Sequence, residues 1–352
     1  MIYKNALING VLTDIEVENG KIVSMDKTEG EGIDLGGRQV FAGLIDTHIH
    51  GCLGYDATED TDKLEEMSCF LAKNGTTSWL PTTMTMSYEM LKKAVNRDIS
   101  GKGAEVLGFH LEGPYISPKY KGAQNEKYIQ SPNIEEFRTF RNVKKITIAP
   151  EMPGAMEFIR QCECCVSLGH TDATYEIAIE AFQNGAKCLT HTFNAMPPFH
   201  HRNPGPIGAA IECDGYVEVI TDGNHVHKNA VMMLYRTFGP DRMIIISDAL
   251  RPTGLPDGVY TSGGLRIHLK DSLARLDDGT IAGSSSTLLK CVKTAISFGI
   301  PVSDAFKMAS ETAAKSIGLD NKGVLKVGAD ADFIALDDEL NLTAVVIAGE
   351  LQ

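Results

Sequence analysis

Eight apolar, β-branched runs recur through the middle of the chain, most of them separated by helix-like segments. The runs are FAGLIDTHIHG (41–51), TTSWLPTT (76–83), AEVLGFHLEG (104–113), KKITIAPE (144–151), CCVSLGH (164–170), AKCLTHTFN (186–194), YVEVITDGNH (216–225) and DRMIIISDA (241–249). Strand and helix alternating eight times is the pattern of an α/β fold of the (β/α)8 barrel type. A doubly wound sheet would alternate too, but no Gly-rich dinucleotide fingerprint follows a strand here. Two of the intervening segments predict helices over 61–75 and 172–186, the second capped by Asp172 and closed by Gly185.

The ends of the chain have a different texture. IYKNALING, TDIEVENGKIVSM and GRQVFAG are short apolar runs punctuated by Asn-Gly and Gly-Gly, which marks hairpins. The stretch KGVLKVGADADFIALDDELNLTAVVIAGE repeats that texture near the other end. Both termini are therefore expected to build one small β-sandwich-like domain, residues 1–43 with 325–352, around a barrel of residues 44–324. The stretch 255–279 predicts a hairpin excursion after the eighth strand.

Composition narrows the function. The formal net charge of −13 argues against nucleic acid or an anionic membrane as a partner. No apolar window is long enough for a membrane span, and the first residues carry no apolar leader. Eight cysteines without an export signal read as reduced, buried thiols. The C-x-x-C spacing of Cys162 and Cys165 has no second pair to complete a metal site.

In such a barrel, chemistry sits at the carboxyl ends of the strands. Those ends collect most of the histidines. The first ends His48-Ile49-His50, and residues i and i+2 of a strand face the same side. The third ends in Glu112, the fifth in His170 and the sixth in His191. The seventh ends Asp222-Gly223-Asn224-His225 and the eighth Ser247-Asp248. One buried histidine is ordinarily a satisfied core residue. Four of them with a glutamate, at four strand ends, read as a site for a divalent metal: zinc, or iron, manganese or cobalt. Asp248, at a separate strand end, is placed to take a proton from water. His110, His200 and His268 read as structural, with His110 able to orient Glu112. Arg202, in the loop HHRNPGP, and Arg251 are cationic candidates for an anionic ligand.

At this point the residues resemble a known family. The motifs are FAGLIDTHIHG (41–51), HLEGPYISPKYKGAQN (110–125), SLGHTDATYE (167–176), THTFNAMPPFHHRNPG (190–205), TDGNHVH (221–227), ISDA (246–249) and TIAGSSSTL (280–288). They are similar to those of the amidohydrolase superfamily and, within it, the N-acetylglucosamine-6-phosphate deacetylases. The resemblance implies that Glu112, His170 and His191 are primary metal ligands and that Asp248 is the catalytic acid and base. It implies substrate contacts from Asn194, Ala195 and Arg202. Asp222, Gly223, Asn224 and His225 would line the pocket, with His225 at the sugar or its phosphate. Ile281, Ala282 and Gly283 would shape the acetamido side, and Ala123 and Gln124 lie in the loop after the third strand. Some relatives carry histidine in place of Gln124, so no role resting on charge transfers there. Because His48 and His50 are both present, a second metal bridged by Glu112 fits, and no lysine stands out as a carbamylated bridge. The resemblance further implies a homodimer, a cytoplasmic setting in amino-sugar recycling, and a phosphosugar substrate. One ion or two, the gluco or the galacto epimer, and a cyclic amide or dipeptide as a more distant alternative all stay open at this level.

Overall fold

The computed structural model describes residues 1–352. We number the barrel strands β1 (Leu44–Ile49), β2 (Thr76–Thr83), β3 (Phe109–Glu112, preceded by the short Glu105–Val106), β4 (Val143–Ile148), β5 (Cys165–Leu168), β6 (Ala186–Leu189), β7 (Tyr216–Ile220) and β8 (Met243–Ile246). Each pairs in parallel with the next from β1 to β8. The ring closes where Ile49 bridges Ala249 in parallel. Two backbone bonds tighten that seam: Asp248 N donates to His48 O at 2.9 Å, and His50 N donates to Ala249 O at 2.8 Å. The closure therefore lies at the strand ends that carry the candidate chemistry.

Helices pack outside the strands by apolar periodicity. In Leu64–Lys73 the buried residues are Leu64, Met67, Ser68, Leu71 and Ala72, a single stripe at helical spacing. Trp79 of β2 is fully buried beneath it and donates from Nε1 to Ser68 Oγ at 2.9 Å. The helix predicted from Asp172 begins three residues later, at Tyr175, with Thr174 Oγ1 accepting from Ile177 N. Asp172 pairs with Lys119 instead, at 2.7 Å, because the strand-end loop turns it toward the neighbouring loop. No helix is long and apolar enough to cross a membrane.

The terminal strands form one eight-stranded sheet that curls on itself, its Lys21–Ser24 edge meeting the segment before Phe333: Ile22 N donates to Ala329 O at 3.0 Å and Lys21 bridges Asp330 antiparallel. Its two halves join where Gln39–Ala42 pairs antiparallel with Phe333–Leu336. Tyr3 Oη donates to Gly349 O at 2.9 Å across the apolar interior, so the two ends of the sheet face each other in the sandwich-like arrangement expected. Tyr3, Ile15, Ile22 and Phe333 centre an apolar cluster of its own, apart from the main core between barrel strands and helices. The excursion after β8 is a three-stranded antiparallel meander, Gly258–Ser262, Leu265–Lys270 and Leu273–Leu276, one strand more than a hairpin. Its Ile267, Leu269 and Ala274 pack with Leu250 and Ala282, so it buttresses the loop above β8.

Lys322 ties the parts together. Its buried ammonium meets Asp332 Oδ2 at 2.8 Å, Asp330 Oδ2 at 3.0 Å and Glu105 Oε2 at 2.6 Å. Asp332 is itself buried, so removing its cation leaves an uncompensated charge. Lys322→Met is expected to lower unfolding free energy by roughly 3 kcal/mol, read from the urea midpoint. Adding Asp332→Asn should restore part of the loss. An unchanged midpoint in the single variant would mean that this cluster does not hold the sheet to the barrel.

Candidate active site

The strand ends bring together every metal-ligand candidate. Glu112 is nearly fully buried, and four imidazole Nε2 atoms face its carboxylate. His48 and His170 lie 3.3 and 3.2 Å from Oε1, His191 lies 3.1 Å from Oε1, and His50 lies 3.1 Å from Oε2. Two ligand groups result, His48–His50–Glu112 and Glu112–His170–His191, with Glu112 common to both. Asp248 Oδ1 stands over the first, 3.5 Å from His48 Nε2 and 3.4 Å from His50 Nε2.

The donor chemistry fits a divalent cation. Within each pair the nitrogens face one another, His170 to His191 at 3.0 Å and His48 to His50 at 3.4 Å. With a Glu112 oxygen beside each pair, two imidazole nitrogens and a carboxylate oxygen converge within the reach of a single cation, the mixed nitrogen and oxygen set that divalent metals take. The electrostatics agree. Burial alone would lower His48 and His50, yet the charges and hydrogen bonds of Asp248 and Glu112 raise them to about 9 and about 10. Burial pushes Glu112 upward, but His48, His170 and His191 hold it well below the usual carboxylate range. Asp248 is also lowered, against burial, by His48 and His50. His191 is the exception, lowered because burial outweighs Glu112 there.

Local backbone conformation aims these groups. His170, His191 and Asp248 all have left-handed backbone, with φ of 47°, 29° and 47°. Non-glycine residues adopt this region at a cost, and they concentrate where function requires it. Gly283 makes the turn at Asp248 fit: a Cβ there would lie 2.4 Å from Asp248 O and 2.9 Å from its Oδ1.

Above the cluster lies a cavity of about 320 Å3. His50, Glu112, His170, His191 and Asp248 form its floor, and Ala123, Gln124, Asn194, Ala195, His225, Ile281, Ala282 and Gly283 contribute to its walls. Gln124 is buried; its Nε2 donates to Glu112 Oε2 at 2.5 Å and its Oε1 accepts from Thr85 N at 2.7 Å. The neutral amide thus orients the shared carboxylate. His225 points Nδ1 at Asp222 Oδ2 and Nε2 at Ala282 O, each 2.8 Å away. Both nitrogens face acceptors, the arrangement of a protonated ring. Burial would lower His225, but Asp222 outweighs it and raises it.

Other expected residues fall elsewhere. Asp222 holds His225 rather than lining the cavity, and Gly223 and Asn224 are exposed beyond it. Arg202 is exposed, with its guanidinium against His201, and does not reach the cavity of its own chain. Its Pro/Gly-rich loop projects it outward. Arg251 turns away to Glu59 and to Asp60, the latter at 3.2 Å. His110 bonds Thr82 and Thr147 inside the barrel, not Glu112. His268 pairs with Asp277 on the surface. All eight cysteines are free; Cys165 is buried, and the closest thiols are Cys162 and Cys164 at 3.5 Å.

Several neighbours escaped the sequence reading. Lys119 and Tyr120 line the cavity, the former as a cation within the chain's own wall. Lys145 and Glu218 pair beneath the floor, both nearly fully buried. Their signal was present as a charge next to or inside an apolar stretch, Lys145 before ITIAP and Glu218 within YVEVI. A charge at a buried strand position needs a partner, and two such strands supply one another's.

Comparison with known proteins agrees with this geometry. The amidohydrolase family matches residues 39–351. An N-acetylglucosamine-6-phosphate deacetylase of Lysinibacillus sphaericus is 37% identical, over 96% of this chain and 93% of the relative. An N-acetylgalactosamine-6-phosphate deacetylase of Escherichia coli O157:H7 is 36% identical, over 87% of this chain and 86% of the relative. Among solved structures, a mutant N-acetyl-D-glucosamine-6-phosphate deacetylase of Mycobacterium smegmatis in complex with N-acetyl-D-glucosamine-6-phosphate superposes with a TM-score of 0.92. It is 32% identical, with 100% of this chain and 98% of that one covered. Barrel, shared carboxylate and family match lead to one conclusion: the chain belongs to the amidohydrolase family.

Proposed function

We propose that this chain hydrolyses the acetamide of N-acetyl-D-glucosamine 6-phosphate to D-glucosamine 6-phosphate and acetate. The observation that carries this reading is the convergence of four imidazoles on Glu112, with Asp248 over the same point at the floor of a cavity. The cavity volume suits a phosphosugar. Glu112, His170 and His191 would hold one divalent ion, and His48 and His50 with Glu112 a second. Zinc suits this nitrogen and carboxylate set best. When bound, such a cation polarises an amide carbonyl and acidifies water.

Asp248 does the proton transfer. Its carboxylate projects into the cavity, and His48 and His50 beside it lower its pKa against burial, so it is suited to accept a proton from the attacking water and return it to the departing amine. Gln124 keeps Glu112 oriented through the cycle. Asn194, Ala195, Ala123, Ile281, Ala282 and Gly283 enclose sugar and acetamide, and protonated His225 marks the anionic end. In the homodimer reading, Arg202 would serve the phosphate bound in a second copy of the chain, since it does not reach its own cavity. A phosphorylated sugar does not cross a bilayer unaided, which supports a cytoplasmic setting. We also divide the chain into residues 1–43 with 325–352 and residues 44–324; the cluster around Tyr3, Ile15 and Phe333 supports that division, while Ile334, Leu336, Val345 and Ile347 pack into the barrel core and join the two parts.

The galacto epimer is the second reading, favoured by the Escherichia coli O157:H7 relative at nearly the same identity. Acetate release should be measured from both epimers and from the unphosphorylated sugar, with metal content read on the same sample. Fast release from the gluco phosphosugar is expected. Preference for the galacto epimer would reassign the substrate, and no release from any of the three with metal bound would sink the deacetylase reading.

Asp248→Asn should lower kcat by about 100- to 10,000-fold with metal content unchanged. Near-normal turnover would remove Asp248 from the proton-transfer role. For His225 the sign follows from its raised pKa: the positive charge is present below the ordinary imidazole value and is lost as pH rises through the raised one. KM for the phosphosugar should therefore climb with pH in that window while kcat stays flat, and His225→Gln should flatten the KM profile. A pH-independent KM in the parent enzyme would rule His225 out as the charge at the anionic end.

A further inference from the structure

The ion pair beneath the floor has no part in the chemistry above. Glu218, on β7, is nearly fully buried inside the barrel, as is Lys145 on β4. One carboxylate oxygen, Oε1, accepts from Lys145 Nζ and from Thr47 Oγ1, the latter at 3.0 Å. The other, Oε2, faces His48 Nδ1 at 3.4 Å. On the far side of the same ring, His48 Nε2 faces Glu112. An imidazole whose Nδ1–H donates to a carboxylate presents its Nε2 lone pair to a cation.

The four site histidines differ in this respect. His170 Nδ1 donates to the backbone oxygen of Tyr120 at 2.9 Å. His50 Nδ1 and His191 Nδ1 are buried without a partner. Only His48 has a charged anchor. Each ligand pair therefore holds one anchored and one unanchored ring, and the carboxylate anchor serves the His48–His50 pair alone.

We propose that Glu218, clamped by Lys145 and Thr47, is a positioning residue: it sets the tautomer and orientation of His48 and so controls occupancy of the His48–His50–Glu112 half of the metal centre. Lys145 has a double part. It fixes the carboxylate in place, and it offsets a third buried negative charge beside Glu112 and Asp248, so that the proton stays on His48 Nδ1. This inference rests on the two-ion reading above.

The test is a metal titration of chelator-stripped full-length protein with Co2+, following the visible spectrum and the number of equivalents bound. In the parent chain two equivalents are expected. In Glu218→Gln one equivalent should weaken by about 10- to 100-fold, while the other stays within about threefold. Glu218→Gln strands the Lys145 ammonium, so Lys145→Met with Glu218→Gln is made alongside; it removes both charges and should keep the selective weakening with parent-like thermal unfolding. A merely structural pair would weaken both equivalents together or neither, and either result overturns the proposal. Two parent-like equivalents in a folded variant do the same. A single equivalent in the parent chain overturns both the two-ion reading and this proposal, while acetate release by the reloaded parent still judges the deacetylase reading on its own.

Discussion

Glu112 sits where four strand ends converge, with almost no water to solvate its charge. A carboxylate there is tolerable only if surrounding groups repay its desolvation. Four imidazole nitrogens within 3.3 Å do so, and they come from β1, β5 and β6 while Glu112 ends β3. Non-adjacent strands are thus bound through one side chain. The same constraint explains the backbone: His170, His191 and Asp248 take left-handed conformations so that their side chains turn back over the barrel mouth.

The polar filling of the barrel follows from that mouth. Beneath the floor, His110 bonds Thr82 and Thr147, and Thr147 and Ser167 share Thr190. Below them Lys145 and Glu218 neutralise one another. These groups offset their burial by bonding one another, and a connected network orders its members more sharply than an apolar filling would. Above the floor, the meander of 258–276 packs on Leu250 and Ala282 and so steadies the wall next to Asp248. The cations nearest the cavity each have an acidic partner, Lys119 with Asp172 and His225 with Asp222, whereas Arg251 pairs with Glu59 and Asp60 away from it.

Much of this was legible in the amino-acid order. Parallel strands buried on both faces must be apolar and β-branched, so all eight announce themselves as runs, and their polar ends mark the mouth. The H-x-H spacing puts His48 and His50 on one side of β1 whatever the rest does. Loop residues were harder. Asp172 has a capping side chain but lies against Lys119, and Thr174 takes the cap, because the loop's course and not the residue type decides which oxygen meets the helix end. Arg202 and Arg251 looked alike as cations beside the motifs; one projects outward and the other meets Glu59 and Asp60.

The sequence alone determined the barrel and pointed to the candidate ligands and the candidate base, because buried parallel strands read as apolar runs and side-chain direction at a strand end follows from local covalent geometry. Tertiary structure alone decided which groups share a neighbour. That Glu112 serves both histidine pairs, that Gln124 and not a charged residue holds it, that His225 is clamped between Asp222 and Ala282, and that Glu218 reaches His48 from below are facts of distance between segments up to about 170 residues apart. Such contacts depend on strand tilt, register and loop path, which arise from packing the whole ring and are written in no single stretch of chain.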